Sequence, residues 1–283
     1  MDEADRALVL GGGGPVGGAW LVGVLAGLAD AGSDPADADL TAGASAGAVF
    51  GARLLSGQSP QELYERQLAG ADRVDLAVTT AQTLRFLRAA LGARNPDRSA
   101  RRLGRAALEA RTVPESEVLD TVRTLLNGAE DWPVRLLRVA AVEAATGEPD
   151  AFDREWGVPL VDAVAASCAV PVVWPPVTVA GRRWMDGGSR ATAPLELARG
   201  HRRVLAVVPL PSAVGPHPHA ARQAAALTAA GSHVTLITPD AAARRAMGRN
   251  MTADHRRADA ARAGHAQARA LAASGTIDDL LNA

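Results

Sequence analysis

Leu40-Thr41-Ala42-Gly43-Ala44-Ser45-Ala46-Gly47-Ala48-Val49-Phe50-Gly51-Ala52-Arg53-Leu54-Leu55 is the stretch on which the fold turns. Residues 40–42 read as a short strand, 43–47 as a sharp turn of small residues, and 48–55 as a helix small enough to pack closely on a sheet. The preceding unit follows the same plan. Ala7-Leu8-Val9-Leu10 is an apolar run that stops at the four glycines 11–14, as a buried strand entering a backbone-rich loop would. Trp20, Leu21, Val24, Leu25 and Leu28 then recur at helical spacing, and Gly32 closes that helix. Two consecutive strand-loop-helix units predict an α/β protein with a mostly parallel central sheet flanked by helices.

Beyond residue 59 the pattern becomes arginine-rich with helical period, which predicts a helical cap or insertion over 59–128. β-type sequence returns at 136–145, turns at Thr146-Gly147-Glu148-Pro149 and comes back through Ala151-Phe152, the signature of a hairpin. A helix over 160–169 precedes a second hairpin, Val177-Thr178-Val179 and Arg182-Arg183-Trp184-Met185, which ends at Asp186-Gly187-Gly188. The runs 204–208 and 234–237 read as further buried strands, and 241–273 as a closing helical region. No repeat and no low-complexity linker divides the chain, so 1–283 reads as a single domain.

The chain has 283 residues, 48% of them hydrophobic, so it can bury a substantial core. Its 30 basic residues balance 31 acidic ones, leaving a net charge of −1 and no field to hold a polyanion, so no nucleic-acid partner is expected. Every basic side chain is arginine, which excludes a Schiff base or a lysine general base. The single cysteine, Cys168, cannot form an internal disulfide and fits a reducing compartment. The start, Met1-Asp2-Glu3-Ala4-Asp5-Arg6, lacks the pattern of a secretory signal. No run of about 18 uncharged apolar residues spans a membrane. A cytoplasmic address is expected.

Gly43-Ala44-Ser45-Ala46-Gly47 fits the Gly-x-Ser-x-Gly nucleophile elbow, in which small residues flank a serine held at the tip of a strand-to-helix turn. The bland reading is a glycine turn with Ser45 as N-cap. A serine hydroxyl needs a base and waiting oxyanion donors, and the loop 11–14 would turn several N–H groups toward one point beside Ser45. Gly12, Gly14 and Gly17 also satisfy the dinucleotide pattern Gly-x-Gly-x-x-Gly, which makes a nucleotide-binding, non-catalytic α/β module the rival from another class. That pattern needs an acidic residue closing the second strand, where this chain instead runs into Gly43-Ala44-Ser45.

Together these motifs resemble the patatin-like phospholipase family. The resemblance rests on Leu8-Val9-Leu10-Gly11-Gly12-Gly13-Gly14-Pro15-Val16-Gly17, on the elbow at Ser45, on Ala166-Ser167-Cys168-Ala169-Val170-Pro171 with Trp174-Pro175-Pro176-Val177, and on the Asp186-Gly187-Gly188 box, in the family's order over residues 7–209. It implies a three-layer architecture and a serine hydrolase acting on lipid carboxylic esters, of phospholipase A or lysophospholipase type, through an acyl-enzyme. It further implies that Ser45 is the nucleophile and Asp186 the base that activates it directly. Gly12, Gly13 and Gly14 would bind the oxyanion, with Gly43, Gly47, Gly187 and Gly188 shaping the motifs. No cofactor and no metal are implied, and the expected partner is a lipid ester met at a membrane surface. Val16 stands where many relatives have Arg or Lys, and Thr192 where they have Asn, which puts rate or substrate in doubt.

All six histidines, His201, His217, His219, His233, His255 and His265, follow Asp186. That order keeps open a Ser-Asp-His triad of the α/β-hydrolase kind. His217-Pro218-His219 could suggest a metal pair, but it lies in a proline-rich loop without a supporting carboxylate or cysteine cluster. Surface or loop histidines are the default reading.

Overall fold

Alternating apolar side chains along the first strand set the layering of the protein. The computed structural model describes residues 5–73 and 78–275. In β1 (Arg6–Leu10), Leu8 and Leu10 face one buried cluster while Ala7 and Val9 face another. A strand buried on both sides needs apolar residues at every position and a helical layer on each face.

β2 (Leu40–Gly43) and β3 (Leu136–Glu143) extend the sheet on one side of β1, and β7 (Arg203–Val207) and β8 (His233–Ile237) on the other, all five parallel. β4 (Pro149–Phe152), β5 (Val177–Val179) and β6 (Arg182–Asp186) are added antiparallel, giving the path β5-β6-β3-β2-β1-β7-β8 with β4 paired to β3. The architecture is mixed α/β with a mostly parallel central sheet flanked by helices.

On the Leu8 face lie α1 (Gly14–Asp30), α2 (Ala46–Leu55), α6 (Glu115–Leu126), α7 (Leu160–Cys168) and α10 (Arg257–Ala273), with α3 (Pro60–Leu68) and α9 (Ala241–Met247) packed against them. The other face carries α8 (Ala220–Ala229) and the paired helices α4 (Thr80–Leu91) and α5 (Pro96–Leu108), whose Ala89, Ala90 and Leu103 cover Val142 and Met185. Among the described residues the 59–128 segment thus holds four helices, α3 to α6, distributed over both faces. α8 was not foreseen from the sequence, where its alanine-rich stretch follows the prolines at 216 and 218. Among the described residues no helix is long and apolar enough to cross a membrane.

Candidate active site

The turn between β2 and α2 is built by what cannot fit there. A Cβ added at Gly43 would lie 2.6 Å from the Gly47 carbonyl oxygen, and one at Gly47 only 2.1 Å from the Leu10 carbonyl oxygen. Both positions therefore exclude a side chain. Between them Ser45 adopts φ 53°, ψ −122°, a conformation rare and costly for a residue with a Cβ. The tight elbow thrusts its half-exposed side chain to the C-terminal end of the sheet.

Ser45 is held by its neighbours. Its N–H donates to Ser167 Oγ at 2.9 Å, and that hydroxyl donates to the Ala140 carbonyl of β3 at 2.6 Å. Asp186, the last residue of β6, pairs in register with Ala141 of the same β3. Its carboxylate lies against the Ser45 hydroxyl, near enough for the two to interact. Asp186 Oδ1 also accepts the Gly188 N–H at 2.6 Å, and the Asp186 N–H donates to Ala169 at 2.9 Å. Asp186 is 6% exposed. Burial pushes its pKa up to about 6, a rise only partly offset by the bonds from Ser45 and Gly188. Cys168, also against Ser45, is raised further, by burial first and by the Asp186 charge second, so its thiol stays protonated.

The glycine loop needs one correction. The Gly12 N–H already donates to the Thr192 carbonyl at 2.8 Å, so it is not a waiting oxyanion donor. Gly12 matters instead for space, because a Cβ there would press on the Ser45 Cβ at 3.3 Å. The Gly13 and Gly14 N–H groups meet no acceptor among the described residues, and neither does the Ala46 N–H in the first turn of α2. Gly14 sits at φ +60°, a left-handed conformation that suits glycine. These amides open α1 and α2, whose N-termini add positive potential near Ser45. Ala46 was missed from the sequence, although an elbow serine followed by a helix start is a signal for it.

A cleft with a cavity volume of about 110 Å³ opens on Ser45. Val49 and Phe50 of α2, Val118, Val122 and Leu125 of α6, and Trp174 are among its apolar lining, with Gln67, Asp72 and Arg257 among its polar lining. The α6 residues recur at helical spacing, a pattern that a core-facing stripe would share. None of the six histidines lines this cleft. His265 bonds Asp30 at 2.7 Å and stacks on Tyr64, and His217 is buried in the loop before α8. Val16 and Thr192 also find places: Val16 is wholly buried, and Thr192 acts through its backbone carbonyl.

The sequence profile of the family described as patatin-like phospholipase matches residues 8–199. The chain belongs to the patatin-like phospholipase family. The matched stretch runs from β1 past the Asp186 box and contains Ser45, Asp186 and the glycine loop. Membership places this patatin-like chain among the lipid ester hydrolases. No curated protein matches it. The solved structures similar to the chain include these two. One is VipD from Legionella pneumophila, 14% identical, with a TM-score of 0.49 over 96% of this chain and 67% of that one. The other is the type III effector protein ExoU, 16% identical, with a TM-score of 0.39 over 95% of this chain and 53% of that one. The chain thus spans about half the length of the second.

Proposed function

We propose that the protein hydrolyses the acyl ester of a phospholipid or lysophospholipid through a Ser45-Asp186 dyad. The observation that carries the reading is a buried Asp186 carboxylate set against the hydroxyl of Ser45, which itself opens on an apolar cleft. Asp186 accepts the hydroxyl proton as Ser45 Oγ attacks the ester carbonyl carbon, and the oxyanion that forms takes hydrogen bonds from Gly13, Gly14 and Ala46. Collapse breaks the acyl carbon–oxygen bond, and protonated Asp186 returns its proton to the departing alkoxide. Water then attacks the acyl-serine as Asp186 takes a proton from it; collapse breaks the bond between the acyl carbon and Ser45 Oγ, protonated Asp186 returns the proton to Oγ, and the free fatty acid leaves. The apolar walls suit an acyl chain. A cytoplasmic site of action at a membrane surface accords with the substrate.

The cleft wall without a histidine favours the dyad over a Ser-His-Asp triad, and the glycine loop's approach to Ser45 favours it over a nucleotide site. The test is Ser45→Ala, which deletes one hydroxyl at a half-exposed turn. Labelling by a fluorophosphonate and hydrolysis of phospholipid should both vanish while the circular dichroism spectrum and melting temperature hold. Retained turnover in the folded variant would sink the proposal.

A further inference from the structure

Residues 79–113 carry eight arginines against two acidic residues in a chain whose net charge is −1. In the hairpin of α4 and α5 this excess is laid out by helical geometry. Arg98, Arg101, Arg102 and Arg105 recur at i, i+3, i+4 and i+7, so they share the exposed face of α5 opposite buried Leu103 and Ala107. Among the described residues none of the eight makes a salt bridge; Asp97 is instead engaged by Arg190 at 2.6 Å.

The neighbouring helix adds a second feature. On α4, Leu84 and Leu91 lie seven residues apart on one face, 67% and 63% exposed, with exposed Arg88 between them. Buried Ala89 and Ala90 hold the opposite side. Exposed leucines beside unpaired arginines form the amphipathic pattern of a helix that lies in a lipid headgroup layer. The helix is also tied to the cleft: Gln82 Nε2 in its first turn donates to the Val172 carbonyl at 3.2 Å, and Val170 and Trp174, two residues to either side, line the Ser45 cleft.

We infer that the α4–α5 hairpin is a docking surface for a bilayer rich in anionic phospholipid, seating the protein with its acyl cleft beside the lipid. The inference rests on the lipid-hydrolase reading for its purpose, but vesicle binding can be measured without turnover. The arginines draw the protein to negative headgroups, each contributing roughly a fivefold gain in partition near the surface. Leu84 and Leu91 then enter the interface.

The experiment is flotation of the full chain with phosphatidylcholine vesicles and with vesicles containing roughly one-third phosphatidylglycerol. Preferential binding to the anionic vesicles is expected, falling at least about tenfold in Arg98→Gln/Arg101→Gln/Arg105→Gln and in about 1 M salt. Leu84→Gln/Leu91→Gln should also lose binding. Both variants change exposed side chains, so turnover of a monomeric short-chain ester should stay within about twofold of the parent. Equal partition into both vesicle types, or arginine variants that bind like the parent, would overturn the assignment. So would leucine variants that bind like the parent, because a purely electrostatic contact describes an acidic protein instead. Soluble-ester turnover without vesicle binding would refute the docking surface and leave the dyad standing; arginine-dependent binding without any esterase activity would do the reverse.

Discussion

In the proposed dyad Asp186 can serve as a base only because it is out of water. An ordinary aspartate titrates near 3.9 and would hold a serine proton feebly, whereas burial lifts this one to about 6. On the proposed mechanism the ionised form is the active one. kcat/KM should therefore rise about tenfold per pH unit below 6 and level off above it. A limb centred near 4 would show that burial does not tune the group. Asp186→Asn keeps the shape and removes the acceptor, so turnover should fall at least about a hundredfold. The same shift affects stability. A carboxyl whose folded pKa lies above its unfolded value binds its proton more tightly when folded. Ionising it therefore costs about 3 kcal/mol of stability above pH 6, and that cost is absent below about pH 4. Asp186→Asn should accordingly melt at or above the parent temperature at pH 7, a stability–activity exchange found at strained sites.

At the scale of the element, the β2–α2 turn shows what short motifs do and do not disclose. The elbow could be read because crowding leaves a chemical trace: only glycine tolerates the 2.1 Å approach that a Gly47 Cβ would make to the Leu10 carbonyl oxygen. Gly47→Ala must displace the backbone of β1 and the loop after it, so a loss of about 3 kcal/mol or more in urea unfolding, with activity gone, is expected. A variant as stable as the parent would refute that steric account. Asp186 was recognisable through its box, and β7 and β8 through their apolar runs. Gly12 was misassigned because its N–H is spent on the carbonyl of Thr192, 180 residues away in sequence, and no spacing rule reports such a bond. α8 escaped because its alanines carry little periodicity after two prolines. Likewise the cleft walls on α6 could not be separated from core, since an apolar helical stripe looks the same whether it meets a side chain or a substrate.

Across the whole molecule, a buried ionic network joins parts far apart in sequence. Arg53 of α2 is fully buried and meets Asp72 at 2.8 Å, with Gln58 on its other nitrogens. Arg66 approaches the same carboxylate, and Arg257 of α10 reaches Gln67 and the Asp72 carbonyl. Burial alone would raise Asp72, but the bonds from Arg66 and Arg53 outweigh it and hold the carboxyl below the usual range. Such a group adds stability that is full above its unfolded pKa and is lost as pH falls through its lower folded value. Asp72→Ala strands Arg53 without a counter-charge and should cost about 3–5 kcal/mol in denaturant unfolding; a loss under about 1 kcal/mol would mean water reaches the guanidinium. The sequence pattern carries no sign of this network, because pairing across 19 or 190 positions is a property of the packed layers.

The Ser167 hydroxyl, lodged between the Ser45 amide and the Ala140 carbonyl, makes one proton of the active site a clock. An amide hydrogen held by a buried side chain exchanges with solvent deuterium only when the surrounding structure opens. The Ser45 amide should thus be among the slowest to exchange despite lying under a cleft, and Ser167→Ala should release it to exchange within the time of a local fluctuation. Because the same hydroxyl ties Ser45 to the strand beside Asp186, that exchange rate would time how long the two halves of the proposed dyad stay in register.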